Sequence, residues 1–318
     1  MNIRPVFLLS VPRSGSTLLQ RLLATHPAIA TVSEPWILLP LLSQLNERGI
    51  YAPYAHNVAV RALDDFAAEL PNGKDDLRLA LRRFALDLYS RVARSDARYF
   101  LDKTPRYHLV IDELIRTFPD AKFIFLWRNP LAVLSSITRT WTRNRWYPYH
   151  YTLDLYYGLP NLLRCRAELG DDAVSVAYED LVADPENTMR AVFGYLELDL
   201  PRGAGRSLSQ VPLRGRMGDR VGTHAYSDVT DEPLTKWAST LNTPLRKRAS
   251  RAYLAWLGRE RLAQMGYDMG ETLAALEAVP PVYRGLVRDV AGVVRGAPRQ
   301  LVKYRLVGLD RRGSWPWF

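Results

Sequence analysis

The stretch Val6-Phe7-Leu8-Leu9-Ser10-Val11-Pro12-Arg13-Ser14-Gly15-Ser16-Thr17-Leu18-Leu19 decides the fold. Its first half is a short apolar run, β-branched in part, that reads as a buried strand. Pro12 and Gly15 break that run, and Ser16 to Leu23 continue with apolar residues at helical spacing. Strand, tight turn and helix follow one another. Such a turn aims backbone N–H groups and a helix N-terminus at one point, which attracts anions. Ser14, Ser16 and Thr17 add hydroxyl donors, and Arg13 adds a fork suited to phosphate or sulfate oxygens. The same layout also serves as an ordinary strand–helix connection with a serine cap.

The turn is similar to a phosphate-binding P-loop but lacks the GxxxxGK[ST] pattern. With no Gly-Lys pair it suits a single phosphate or phosphosulfate better than the β,γ-phosphates of a nucleoside triphosphate. The 318 residues suffice for one large α/β domain or two modest ones, and 47% apolar residues supply a sizeable core. A formal net charge of +10 favours anionic partners. The single cysteine, Cys165, excludes an intramolecular disulfide framework and a cysteine-rich metal site. No apolar run approaches the roughly 18–20 residues that span a bilayer, and the N-terminus lacks a signal-peptide layout. A cytoplasmic protein is expected.

Ile29 to Val32 reads as a second strand, and Glu34-Pro35-Trp36 opens a loop. Residues 37–95 read as mostly helical, with breaks near 49–53 and 71–73. Tyr99 to Leu101 is a strand end, a helix runs to Phe118, and Lys122 to Trp127 is the clearest strand of all. Pro130 suits the first turn of a following helix. Residues 141–157 are crowded with aromatics and arginines. Asp172 to Tyr178 reads as the last strand, with helices over about 186–196 and 241–264 and a long loop over 201–235. Strands alternating with helices argue for a parallel sheet covered on both faces. Ligands bind such sheets at the carboxyl ends of the strands, where the polar clusters fall.

Arg128 and Ser136 are eight residues apart across a strand-to-helix junction. They read either as a grip on a second phosphate or as a surface arginine and a helix serine. Tyr178 can pack on a nucleobase or fill a core edge. Lys103 can face charge on a transferring group or stay solvated. Lys236-Trp237 can close over a nucleotide, or Trp237 can anchor the core. Glu34, 21 residues after Arg13, can accept a proton from an acceptor hydroxyl or be a turn residue. His26 and His108 are the alternative bases, and His26, before a proline, reads as structural.

With these residues in hand, the chain resembles the sulfotransferases that use 3′-phosphoadenosine-5′-phosphosulfate (PAPS). Pro12-Arg13-Ser14-Gly15-Ser16-Thr17-Leu18-Leu19 with His26-Pro27 is similar to their 5′-phosphosulfate loop. Trp127-Arg128-Asn129-Pro130 with Ser136 is similar to their 3′-phosphate site. Val176 to Leu181 resembles the segment whose tyrosine lies near the adenine. Gly218-Asp219 through Lys236-Trp237 resembles the late loop over the nucleotide, and Met265-Gly266-Tyr267 the end of the domain. Pro105 stands where phenol and steroid sulfotransferases carry a histidine after Lys-Thr, and Arg13 where they carry a lysine. The pattern is closer to the branch of tyrosylprotein sulfotransferases and many bacterial enzymes, whose base is a glutamate.

The resemblance implies a P-loop-NTPase-like parallel sheet of about five strands with helices on both faces and a mainly helical C-terminal extension. It implies a sulfotransferase domain over residues 1–269 and a basic extension over 270–318. Glu34, Arg13 and Lys103 would be catalytic. Arg13, Ser14, Gly15, Ser16, Thr17, Arg128, Ser136, Tyr178, Lys236 and Trp237 would bind PAPS and the product adenosine 3′,5′-bisphosphate (PAP). Trp36, His108, Trp141, Trp146 and Tyr147 would meet a small-molecule, carbohydrate or lipid acceptor. No metal is expected, since no acidic ligand cluster is visible, and no nucleic acid. A P-loop kinase or other nucleotide-binding enzyme, and a non-catalytic polyanion-binding protein, are the alternatives.

The extension carries eight Arg/Lys against four Asp/Glu. Val282, Leu286, Val290, Val293 and Val294 fall on one helical stripe with Arg284, Arg288 and Arg295 nearby. It reads as a helix docked on the domain, or as a segment placing the protein at the inner membrane face, which would suit a lipid acceptor.

Overall fold

In the computed structural model, residues 3–46, 56–147, 151–201, 213 and 232–306 are described. Five strands form one sheet: β1 (Arg4–Leu9), β2 (Ile29–Thr31), β3 (Tyr99–Asp102), β4 (Lys122–Trp127) and β5 (Ala173–Ala177). Their order is β2-β3-β1-β4-β5 and every pairing is parallel.

The period of two in β1 sorts its side chains between two cores. Val6 and Leu8 join Leu19 and Leu22 of α1 (Ser16–Leu23) and Val192 and Phe193 of α9 (Pro185–Tyr195). Phe7 and Leu9 join the other core, with Leu114 of α5 (Ile111–Thr117), Leu131 of α6 (Pro130–Trp141) and Leu162 of α7 (Leu159–Leu169). Phe7 alone meets the rings of Phe118 at 5.2 Å, Phe123 at 5.8 Å and Tyr107 at 6.0 Å. Both faces are therefore buried, as the unbroken apolar runs require.

The chain leaves β1 towards β2 on one side and leaves β4 towards β5 on the other. The carboxyl ends of the adjacent strands β1 and β4 thus flank the topological switch point, where open α/β sheets take their ligands.

The mostly helical region resolves into α2 (Leu38–Leu42), α3 (His56–Ala68) and α4 (Lys74–Val92). Tyr178 does not end β5 but opens α8 (Tyr178–Ala183), where Glu179 and Asp180 suit the positive end of a helix. Leu153–Gly158 form a π-helical turn, a geometry that apolar spacing does not encode. Residues 232–235, expected in the long loop, form the short helix α10 (Glu232–Thr235), followed by α11 (Trp237–Thr240). The Gly218-Asp219 pair and the end Arg311 to Phe318 lie outside the described residues.

The C-terminal part is helical, as expected: α12 (Pro244–Gln264), α13 (Met269–Ala278) and α14 (Leu286–Leu306). Both α13 and α14 pack on α12. The fixing contact is a buried ion pair. Arg246 holds Asp289 of α14 through Nε at 2.8 Å and Nη2 at 2.7 Å. It also donates to Asn144 Oδ1, Asn144 O and Thr240 O, so all five guanidinium N–H donors have acceptors. Thr243 Oγ1 donates to Asp289 as well.

Breaking such a pair from one side leaves an uncompensated buried charge. Arg246→Met is expected to cost about 3–5 kcal/mol in urea unfolding, and adding Asp289→Leu should recover most of that loss.

Candidate functional site

The site is built on the loops after β1, β2, β3 and β4. After β1 the backbone turns through two left-handed residues, Arg13 (φ 72) and Gly15 (φ 94). Only glycine fits at the second: a Cβ there would run into the ring of Tyr178. Gly15 also caps α1; its carbonyl accepts from the Leu18 amide at 2.9 Å, and it has no side chain with which to cap the amides of Ser16 and Thr17. Ser14 Oγ is buried and has no hydrogen-bond partner among the described residues, which fits a loop shaped for an acceptor-rich anion.

The loop after β4 reaches the same point. Arg128 Nη1 donates to the carbonyl of Arg13 at 3.0 Å, and Arg13 Nε donates to Ser136 Oγ of α6 at 3.2 Å. The Arg128 guanidinium lies over the Tyr178 ring at 4.2 Å. Tyr178 thus supports both Gly15 and Arg128. Burial lowers the pKa of Arg128, and Arg13 nearby lowers it further. A corner holding two close cations, one of them buried, is stabilised by a bound anion. Glu179 ties it down, accepting from the Asn129 amide at 3.1 Å and the Tyr267 hydroxyl at 2.5 Å.

The loops after β2 and β3 bring in the carboxylate. Lys103 Nζ donates to Glu34 Oε1 at 2.6 Å and the Trp36 indole donates to Oε2 at 3.0 Å. Both side chains of the ion pair are nearly buried. The turn that carries Glu34 is held at both ends. Gln20 Nε2 from α1 donates to Thr31 Oγ1 and the carbonyls of Val32 and Ser33. The amide of Trp36, itself left-handed (φ 57), donates to Thr104 Oγ1, and Thr104 Oγ1 donates to Asp102.

The other candidates fall in three places. Lys236 and Trp237 lie at the start of α11, which packs on α6, the helix of Ser136. Trp141 is exposed at the end of α6, and Tyr147 is half-buried. His108 and Trp146 are not brought to the Glu34 corner as groups open to an acceptor. The His108 imidazole is sealed against Gly158 and shares a hydrogen bond with Asp154 at 3.1 Å. Burial pushes the Asp154 carboxyl up, but His108 and Arg106 hold it below its ordinary value. Trp146 is fully buried beside Tyr151 and under Arg246. The cluster of Asp112, Cys165 and Glu168 has a cation already, because Arg164 bonds both carboxylates.

Sequence reasoning missed Gln20, Asp102, Glu179 and Tyr267. Gln20 and Asp102 are buried and Glu179 and Tyr267 half-buried, and they act through hydrogen bonds to other loops and helices; a glutamine or aspartate inside an apolar run was the only signal.

Residues 5–202 match the family model described as the sulfotransferase family. The nodulation protein NoeE of Sinorhizobium fredii is 30% identical over 288 residues, which cover 82% of this chain and 65% of that protein. Protein-tyrosine sulfotransferase 1 of Danio rerio is 25% identical over 284 residues, covering 83% and 72%. Among solved structures, the sulfotransferase domain of the Synechococcus PCC 7002 olefin synthase is 26% identical with a TM-score of 0.53, covering 75% of this chain and 88% of that one. The sulfotransferase domain of the curacin biosynthetic pathway, 20% identical with a TM-score of 0.57 over 84% and 98%, shares the fold.

Asp102 offers a test of the corner. Burial pushes its carboxyl up from 3.8 to about 6, against hydrogen bonds from Tyr89, Tyr107 and Thr104 and the charge of Lys103. The native state therefore holds this proton more tightly than the unfolded chain does. The stabilisation is full below 3.8 and is lost as pH rises through about 6. Relative to Asp102→Asn, the wild type should lose about 3 kcal/mol across that window, read by urea unfolding at a series of pH values. A constant difference would contradict the shift.

Proposed function

The chain belongs to the sulfotransferase family, and we propose that it transfers a sulfuryl group from PAPS to a hydroxyl, or an amine, by in-line displacement. The donor supplies the sulfuryl group and leaves as PAP. The observation that carries the reading is the single corner in which Arg13, Arg128 and Ser136 are linked, beside the Lys103–Glu34 pair.

In this reading the amides of residues 14–17, with Ser14, Ser16 and Thr17, hold the 5′-phosphate. Arg128 and Ser136 select the 3′-phosphate, and Arg13, bonded to Ser136, sits between the two. Lys236 and Trp237 approach the nucleotide from α11. Tyr178 contributes by fixing Gly15 and Arg128 as well as by any contact with the base. Arg13 and Lys103 stabilise charge gathering on the sulfuryl oxygens and the leaving phosphate, a role worth about 2.7–4 kcal/mol per donor.

Glu34 takes the acceptor proton. Both its oxygens are engaged, so it is open to an acceptor proton only once an arriving anion draws Lys103 away. Donor binding then does two things: it occupies Lys103 and it frees Glu34. Trp36 and Trp141 border the acceptor, which is a small molecule, a carbohydrate or a lipid; the tyrosyl hydroxyl named for the Danio rerio relative is a further hydroxyl of the same kind. Residues 1–269 form the transfer unit and 270–318 its extension, in a cytoplasmic setting.

Glu34→Gln should keep PAP binding within about threefold while turnover falls by 10²–10⁴; normal turnover would remove Glu34 from the chemistry. Arg128→Ala should weaken PAP far more than adenosine 5′-monophosphate in calorimetry, by about tenfold or more. Equal losses would show that Arg128 does not read the 3′-phosphate.

A further inference from the structure

The outward face of α14 has no role in the chemistry above. Its docked face is clear: Asp289, Gly292 and Gly296 are buried, and a Cβ at Gly292 would run into the Trp146 carbonyl. The opposite face shows Val287 (85% exposed), Val290 and Val294 (66%), three to four residues apart on one stripe, with Ala291 between them. Apolar side chains on the solvent side of a docked helix gain nothing from the fold.

The surroundings of the stripe are cationic. Arg288 and Arg295 are exposed along one flank, with Arg284 at the helix start. The loop after α6 lies beside the same flank, with Arg143 and Arg145 exposed, and the Tyr147 hydroxyl takes hydrogen bonds from Arg145 and Arg295 together. Asp289, the sole acid of α14, is buried and neutralised by Arg246. Trp141 is exposed just before that loop.

We propose that this face, α14 with residues 141–147, is a docking surface for an anionic lipid bilayer. Valines facing outward beside a row of arginines, with an indole and a phenol at the edge, match the apolar, basic and aromatic layers of a membrane interface. A second copy of the chain fits less well. A two-fold contact would set these arginines against their own kind, and the stripe offers at most a few hundred Å2 against the ~800 Å2 per partner of a stable dimer. No helix among the described residues is long and apolar enough to cross a membrane, so the contact is peripheral. It does not depend on the sulfuryl-transfer reading.

The test is flotation of the full chain with vesicles of phosphatidylcholine alone, or with one-third phosphatidylglycerol, at physiological salt. The wild type is expected to float with the anionic vesicles only. The pair Val287→Asp/Val294→Asp, with an unchanged melting temperature, should lower the bound fraction about tenfold, and Arg288→Gln/Arg295→Gln should do likewise. Flotation unaffected by the valine pair, or no preference for anionic vesicles, would overturn the proposal. So would a wild-type dimer in sedimentation equilibrium that the valine pair dissolves, since a second copy would then cover the face.

Discussion

Two guanidinium groups, one of them buried, share one corner, and most of the architecture around the switch point answers to that constraint. Arg13 and Arg128 repel each other, and burial opposes the charge on Arg128. The corner persists because each cation has a fixed neighbour. Arg128 rests on the Tyr178 ring and donates to the Arg13 carbonyl, while Arg13 turns through a left-handed φ to reach Ser136. Gly15 has to be glycine because the ring that carries Arg128 occupies the place of its Cβ. Packing, backbone conformation and electrostatics meet in these few residues, and together they make a place that suits negative charge.

The same economy governs the carboxylate side. Gln20 belongs to α1, the helix that begins at the turn after β1, yet its amide holds the segment before Glu34. Thr104 belongs to the loop after β3, yet it holds the amide of Trp36 after Glu34. A shift of α1 is therefore felt at both the loop and the carboxylate. The sheet supplies the registry: parallel strands ending at one edge put four loops side by side, and short hydrogen bonds lock them.

Much of this was legible in the sequence, for physical reasons. The strands were visible because both their faces are buried, which leaves unbroken apolar runs such as 6–9 and 123–127. The turn after β1 and Arg128-Ser136 were visible as candidate sites because glycine, serine and arginine sit at breaks in those runs. Partners across the sheet were not visible. Asp102 looks like the end of a strand until Tyr89 and Tyr107 are found donating to it. Trp146, expected to meet the acceptor, is instead buried beside Tyr151 and under Arg246, which Asp289 holds from another helix. The π-helical turn brought Asp154 to His108, and no periodicity announces such a turn.

That last contact bears on which group could act as a base in the proposed reaction. A base has to reach the acceptor proton. His108 cannot do so without leaving Asp154 and displacing the backbone at Gly158, whose Cα leaves no room even for a methyl group beside the imidazole. Glu34 is bound by groups of a different kind. An ammonium on a flexible stem can swing to an arriving anion, and an indole N–H can stay in place to orient the carboxylate. Pro105 fits this division of labour: with no side-chain donor or acceptor after Thr104, that loop serves to fix Trp36 and to present Lys103. The chemistry is then assigned by what can move. Rigid contacts hold the histidine, and exchangeable ones hold the glutamate.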